Sequence, residues 1–279
     1  MKIGIFSRTF ETADLEETYK RMIEHGIYHA QFNLSNAGMP TLPESLDEER
    51  IEEIKKITDG YNIKLEALSG TFNMIDPDED ARKKGCAQFE IQCKIARMLD
   101  IPIVSLCTGT KNLENKWLWH DDNLKQSSWD DLLRSTEIIL KHAQENNIIL
   151  GVEPEIGNII NTPRRAREYL DKIGSPNIKI IMDGANIFLA DQVANMKNVL
   201  KEAFDILGKD IVSAHAKDFY YDKDIEFVVA GQGILDFDYY LTLLKEVDYK
   251  GALIMHGLTK KEVFMSKMFL EEKIKNIKL

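Results

Sequence analysis

The hydrophobic positions along the chain alternate between short continuous runs and longer stretches with helical spacing. Strands buried on both faces of a parallel sheet are typically almost wholly apolar, because helices cover both sides of such a sheet. The later short runs have this character, and they read IILGV, IKIIM, IVSA and ALIM. The pattern therefore predicts a parallel sheet covered by helices.

The full pattern predicts eight strand-then-helix units. The predicted strands are residues 2–6, 29–34, 63–68, 101–107, 148–152, 178–182, 211–214 and 252–255. The first helix follows Asp14, and the later ones are predicted at 46–58, 78–99, 129–146, 163–173, 192–207, 237–247 and 259–274. Asp14 and Thr162 are expected helix caps, and Pro163 suits a first helical turn.

Eight such units favour a closed (β/α)₈ barrel, and no linker interrupts residues 1–279, so we expect one domain. A doubly wound open sheet is the rival fold. That fold usually carries a glycine-rich turn after its first strand. Here the first strand is followed by Ser7-Arg8-Thr9, which counts against it.

Composition and charge narrow the classes of function. Hydrophobic residues make up 44% of the 279 residues and charged residues 29%, which is typical of a soluble globular protein. A chain of this length buries a large core without a structural metal, so a bound metal would serve chemistry. The formal charge of −10 disfavours extended nucleic-acid binding.

The cysteines and the apolar runs indicate a cytoplasmic protein. Cys86, Cys93 and Cys107 are odd in number and form no CxxC pair, so we interpret them as buried thiols of a reducing compartment. The first ten residues resemble a strand more than a signal peptide. No apolar run reaches the length of a membrane span.

Polar residues follow the last four predicted strands, where barrel enzymes place their functional groups. In chain order the strand ends supply two carboxylates and then two imidazoles, from Glu153, Asp183, His215 and His256. A single such residue is usually a helix cap or a hydrogen-bonding group. Four in succession predict one divalent metal site, and the oxygen and nitrogen ligands suit Mn²⁺, Mg²⁺, Co²⁺ or Zn²⁺.

Further polar residues beside these positions are candidates for substrate binding. They are Glu155, Asn186, Lys217 and Asp218. The irregular segment 108–127 adds Trp119 and His120. Its aromatic residues either cover a ligand or pack the loop onto the barrel. The Ala230-Gly231-Gln232-Gly233 segment reads most simply as a tight turn.

Nearly the whole chain resembles the xylose-isomerase-like barrel superfamily, which contains sugar and sugar-phosphate isomerases and epimerases as well as endonuclease IV. The motifs that carry this resemblance are LEALSGTFN, CTGT, VEPEIGN, MDGAN, HAKD, AGQGILDF and IMHGL.

The resemblance implies that Glu153 binds metal and acts as an acid or base, and that Asp183 and His215 are metal ligands. It also implies that Asn186, Lys217 and Asp218 lie near the substrate. Many characterised epimerases end the eighth strand with a glutamate, whereas this chain has His256 there. A neutral imidazole still binds metal and still moves protons near neutral pH.

The expected function is therefore isomerisation or epimerisation of a sugar, sugar phosphate or related polyol ketone. Glu153 and His256 would move a proton next to a carbonyl, and the metal would stabilise the resulting enediolate. A metal-mediated hydride shift would give the same product without a free enediolate, and a dehydratase reaction on the same site would need the same proton abstraction. The alternatives are an endonuclease-IV-like phosphodiesterase, which the negative charge opposes, and a barrel that binds a sugar or metal without catalysis. We expect no membrane or nucleic-acid partner, and a homo-oligomer is allowed.

Overall fold

A closed barrel of eight parallel strands forms the centre of the molecule in a computed structural model, which describes residues 1–277. The barrel strands are β1 (Lys2–Phe6), β2 (His29–Phe32), β3 (Lys64–Ser69), β4 (Ile103–Leu106), β5 (Ile149–Val152), β6 (Ile178–Asp183), β7 (Ile211–Tyr221) and β9 (Ala252–Met255). Each strand pairs with the next, and the pairing of β9 with both β7 and β1 closes the barrel. The predicted (β/α)₈ fold is confirmed.

Eight helices surround the barrel within the described residues. They are α1 (Leu15–Glu24), α2 (Glu48–Gly60), α3 (Glu79–Met98), α4 (Gln126–Asn146), α5 (Pro163–Ile173), α6 (Met196–Leu207), α7 (Phe237–Glu246) and α8 (Val263–Asn276). The predicted caps are confirmed, because Asp14 accepts from the N–H of Glu17 and Thr162 from that of Arg165. No helix in this part of the chain is long and apolar enough to cross a bilayer.

The hydrophobic core lies between the barrel and the helices. Fully buried aromatic side chains fill it, among them Tyr19, Phe89, Tyr169 and Tyr240. The three cysteines are buried and free, as the sequence predicted. The predicted extent of the domain, 1–279, includes residues outside those described and stays a prediction.

The chain differs from the sequence prediction where β7 leaves the barrel. Strand β7 continues to Tyr221, far beyond the predicted end at Ala214, and β8 (Ile225–Val229) pairs with this extension in antiparallel fashion. The sequence analysis missed β8 because a five-residue strand that directly follows the charged segment Asp222-Lys223-Asp224 carries little periodic signal. The resulting hairpin projects from the carboxyl end of the barrel.

The segment before α4 is also more ordered than predicted. Residues Asp121–Leu124 form a 3₁₀ turn, and α4 begins at Gln126 instead of Trp129. The first residues of this helix are polar, so the apolar pattern used for prediction starts one turn late.

Candidate functional site

Three ionisable side chains converge at the carboxyl ends of neighbouring barrel strands. Glu153 directly follows β5, Asp183 ends β6, and His215 lies on β7 as the register partner of Asp183. His215 Nδ1 lies 3.3 Å from Glu153 Oε2 and 3.9 Å from Asp183 Oδ2. All three are buried, and one ligand atom from each lies within 4.8 Å of the others. This arrangement satisfies the distance requirement for a shared cation.

Hydrogen bonds orient the three residues, so that one polar atom of each binds a protein partner and the other polar atom faces the shared space. Gln31 Oε1 can only accept, so His215 Nε2–H donates to it at 2.8 Å, and in the neutral ring Nδ1 carries the lone pair. The amide of Asn186 donates to Glu153 Oε1 at 2.6 Å, and the Ala185 N–H donates to Asp183 Oδ1. Partners of this kind fix the tautomer and orientation of metal ligands.

Two of the atoms that face the shared space have no protein hydrogen bond, although Lys217 Nζ lies 3.4 Å from Asp183 Oδ2. His215 Nδ1 and Asp183 Oδ2 are both buried without a hydrogen bond. Such orphaned polar atoms cost free energy unless a ligand satisfies them. One imidazole nitrogen and carboxylate oxygens form a donor set typical of divalent cations, so the residues present fit such an ion.

The electrostatics of the group also favour a cation. Burial raises the pKa of Glu153, but the charge of protonated His215, 3.3 Å away, and then the charge of Lys217 outweigh burial and lower the pKa to about 2. Burial raises the pKa of Asp183, and the nearby Glu153 charge adds to this effect. Two carboxylates are therefore held close together in a poorly solvated place, and a bound cation would relieve their repulsion.

His256 lies beside this group but outside it. Its ring stacks on that of His215, with centroids 4.9 Å apart and planes 4° apart, and on that of Phe6 at 5.0 Å. Burial and the charges of His215 and Lys217 lower the pKa of His256 to about 3, so the ring is neutral. Its Nδ1 is buried without a partner. The predicted metal and catalytic roles of His256 stay predictions.

A cavity of about 330 Å³ opens beside Glu153, Asp183 and His215, and Glu153 also lines this cavity. The residues that line it include Phe6, Arg8, Gln31, Asn33, Ser69, Thr71, Ser105, Trp117, Glu155, Asn186, Lys217, Phe227 and His256. Its volume and its polar lining match a small-molecule site. The active-site face of (β/α)₈ enzymes is the same carboxyl end of the barrel.

The family model described as "Xylose isomerase-like TIM barrel" matches residues 9–267. The chain belongs to this family. An inosose isomerase from Halalkalibacterium halodurans is 25% identical over 219 residues, which are 77% of this chain and 74% of the relative. The resemblance predicted from the sequence motifs is confirmed.

Solved structures show the same fold. A D-tagatose 3-epimerase-like protein superposes with a TM-score of 0.77 at 21% identity, covering 99% of this chain and 98% of the other. A structure described as IOLI protein with a binding zinc atom gives a TM-score of 0.73 at 20% identity, covering 100% and 99%. At these identities the likenesses show the shared fold.

Three of the predicted substrate-binding residues line the cavity of this xylose isomerase-like barrel. Lys217 Nζ donates to Asn186 Oδ1 at 2.7 Å and lies 4.0 Å from the centroid of the Phe227 ring. Asn158 donates to Glu155 Oε2 at 2.7 Å. Burial, with the charge of Glu153, raises the pKa of Glu155 to about 8.

The other three predicted substrate-binding residues have local partners. Asp218 accepts hydrogen bonds from four backbone N–H groups, those of Phe219, Gly231, Gly233 and Leu235. Trp119 Nε1–H donates to Asp121, and His120 Nδ1 accepts from the N–H of Asp122. None of the three is among the cavity-lining residues, and their substrate roles stay predictions.

The sequence analysis did not select several residues that line the cavity. Trp117 lines it instead of Trp119, and Gly157 explains its approach, because a Cβ there would lie 2.1 Å from the Trp117 carbonyl oxygen. Phe227 lies on the missed strand β8. The sequence could have indicated Gln31 and Asn33 as cavity residues, because a polar residue within or directly after an apolar strand is unusual.

Proposed function

We propose that this chain is a divalent-metal-dependent isomerase or epimerase of a sugar, sugar phosphate or related polyol ketone. The observation that carries the proposal is the convergence of Glu153, Asp183 and His215 beside a sugar-sized cavity in a xylose isomerase-like barrel. Relatives named inosose isomerase and D-psicose 3-epimerase support this substrate class.

Glu153, Asp183 and His215 are the residues that would hold the metal, with His256 as a predicted fourth ligand. When bound, a divalent ion supplies Lewis-acid polarisation of a carbonyl, which acidifies the adjacent C–H group. Mn²⁺, Mg²⁺, Co²⁺ and Zn²⁺ all accept this donor set.

The side chains around the cavity supply the remaining functions. Asn186 holds one oxygen of Glu153, and the carboxylate is ionised at neutral pH, as a base that removes a proton must be. Lys217 presents an ammonium group to substrate oxygens at the same end of the cavity. His256, neutral and stacked beside His215, is the predicted partner for returning the proton.

Two aromatic side chains limit the access of water. Trp117, in the loop before α4, and Phe227, on β8, line the cavity and are each about half exposed, at 50% and 42%. Exclusion of water strengthens electrostatic interactions in the cavity and protects a reactive intermediate. Both aromatic residues lie on segments outside the barrel, whereas the ionisable residues lie at the ends of the barrel strands.

Metal analysis combined with a substrate screen tests the proposal. The purified protein is assayed for bound Mn, Mg, Co and Zn, and then screened with each metal against ketoses, ketose phosphates and inososes. We expect turnover of at least one polyol ketone that a chelator abolishes and the metal restores. Metal-independent turnover, or cleavage of abasic DNA in place of sugar turnover, would contradict the proposal. The absence of nucleic-acid partners, the oligomeric state and the cytoplasmic location stay predictions.

A further inference from the structure

Two buried hydroxyl groups in the cavity wall have no hydrogen-bond partner. Ser69 and Ser105 are only 2% and 5% exposed, and the Oγ of each is unpaired within the described residues. A buried hydroxyl without a partner is unfavourable, and native proteins rarely keep one without a reason. Two of them in one cavity wall therefore indicate a ligand that supplies the missing hydrogen bonds.

The two serines form a pair on neighbouring strands. Ser69 on β3 and Ser105 on β4 are register partners, so their side chains point to the same side of the sheet, and both line the cavity. Their backbones are held, because Gln92 donates to the Ser69 carbonyl and the Gly70 N–H donates to that of Ser105. The hydroxyls are thus presented from a rigid part of the barrel.

The pair lies across the barrel from His215, whereas Ser105 is close to Glu153, because its register partner Gly151 on β5 lies two residues before that glutamate. In the closed strand order, β3 is opposite β7, which carries His215, and β4 is opposite β9, which precedes His256. A molecule that fills the cavity between Glu153 and the wall of β7 and β9 therefore also contacts the opposite wall formed by Ser69 and Ser105. The polar neighbours of that wall include the amide of Asn33 and the hydroxyl of Thr71.

We propose that Ser69 and Ser105 form a subsite that recognises substrate hydroxyl groups on the cavity wall opposite His215 and His256. The inference rests on the proposed function and adds the residues that select the substrate. A serine hydroxyl both donates and accepts, and so does each hydroxyl of a polyol. A site built to bond a hydroxyl rejects an analogue that lacks it, because its own buried groups then stay unpaired. The subsite therefore selects polyols that carry a hydroxyl group at the carbons facing this wall.

Calorimetric binding to the Mn²⁺-loaded protein tests this subsite without requiring turnover. The probes are D-tagatose and its 4-deoxy, 5-deoxy and 6-deoxy analogues. We expect the unmodified protein to bind at least one analogue about tenfold more weakly than D-tagatose, which is the effect of one lost hydrogen bond. Ser69→Ala and Ser105→Ala should weaken D-tagatose binding by a similar factor, and at least one of them should remove the discrimination against that analogue.

Thermal unfolding separates recognition from a structural role. Removing an unpaired buried hydroxyl should leave the melting temperature of each variant unchanged or higher, whereas a structural hydroxyl would lower it when removed. Ser266→Ala is the matched control, because Ser266 is also a buried, unpaired serine but lies on α8 outside the cavity lining. It should bind all four sugars as the unmodified protein does.

Three results would overturn the subsite. These are equal binding of the four sugars by the unmodified protein, unchanged D-tagatose binding in both serine variants, and no measurable binding of any of the sugars. Failure of the proposed function would give a different result. The unmodified protein would still discriminate among the sugars, and the serine variants would lose this discrimination, but the protein would catalyse no isomerisation of any sugar.

Discussion

At the scale of single residues, His215 shows how a strand-end side chain becomes a candidate ligand. Its sequence neighbours are apolar on one side and polar on the other, which only locates it at the end of a strand. The hydrogen bond from Nε2–H to Gln31, 184 residues away, leaves Nδ1 as the ring nitrogen directed toward Glu153 and Asp183. Burial lowers the pKa of His215, but the charges of Glu153 and Asp183 raise it by more, so the pKa is raised overall.

Replacing Glu153 tests the residue assigned to proton transfer. Glu153→Gln keeps the side-chain size and the oxygen that accepts from Asn186 but removes the base. We expect kcat to fall by about 10² to 10⁴-fold, because general-base catalysis contributes about that much. Steady-state kinetics on the substrate found by screening measures the loss.

The exposed Glu137 on α4 offers the matched control, and Glu137→Gln should leave kcat unchanged. Circular dichroism of Glu153→Gln should show an intact fold. Normal turnover by this variant would show that another group removes the proton.

At the scale of elements, Asp218 organises the connection between the β7–β8 hairpin and α7. Its two carboxylate oxygens accept four backbone N–H groups, three of them from the turn that follows β8. Two glycines make this possible, because a Cβ at Gly233 would lie 2.3 Å from Asp218 Oδ1 and Gly231 has a φ of +94°. The sequence interpretation of a tight turn agrees with these contacts. This turn therefore supports β8, which carries Phe227.

Replacing Asp218 by Asn should destabilise this connection. The variant exchanges an accepting oxygen for an NH₂ group that faces backbone donors, so buried N–H groups lose their partner. We expect the free energy of unfolding to fall by about 2–4 kcal/mol, given the cost of unsatisfied buried groups. Urea denaturation measures the change, and Asp222→Asn in the exposed tip of the hairpin is the control. Equal stability of the two variants would contradict this role.

A second element-scale network anchors the loop after β4. Asp131 on α4 forms ion pairs with Lys111 of that loop at 2.6 Å, with Arg82 of α3 at 3.2 Å, and with Arg134. Burial raises the pKa of Asp131, but the hydrogen bonds from Lys111 and Arg134, with the charges of Lys111 and Arg82, lower it overall. The loop that leads toward Trp117 is thereby tied to two helices.

The stability contributed by Asp131 should depend on pH in a defined direction. Because its folded pKa is lowered, the contribution is complete above the unfolded value of about 3.8 and is lost as the pH falls through the folded pKa. Asp131→Asn should therefore be less stable than the unmodified protein at pH 7, and the difference should shrink below pH ~4. Denaturant melts at several pH values measure it, and a difference independent of pH would contradict the assignment.

At the scale of the whole molecule, three neighbouring strands of the closed barrel carry the candidate ligands. Glu153 follows β5, Asp183 ends β6 and His215 lies on β7, and the unfolded chain does not hold these residues together. A cation that binds only the folded arrangement stabilises the entire barrel by mass action. The site and the stability of the fold are therefore linked.

Removal of metal should lower the melting temperature of the whole protein. Saturation at a hundredfold excess over Kd corresponds to about 2.7 kcal/mol, which shifts the unfolding of a chain of this size by several degrees. Thermal melts with a chelator and with added Mn²⁺ or Zn²⁺ measure the shift. The shift should be much reduced in Asp183→Asn and preserved in Glu137→Gln. An equal shift in both variants would place the metal elsewhere.

The sequence by itself determined the barrel and the strand ends that carry the ionisable residues. Apolar runs separated by amphipathic stretches leave few folds that bury every strand on both faces, and polar residues at the ends of those runs must face the carboxyl rim. Only the tertiary structure decided which of these residues meet. It brought Glu153, Asp183 and His215 together and stacked the His256 ring on that of His215. It also placed the backbone N–H groups of a turn around the Asp218 carboxylate. It also placed Trp117, Phe227 and the paired serines around one cavity. Such contacts depend on side-chain direction and on partners far away in the chain, and local periodicity carries no information about either.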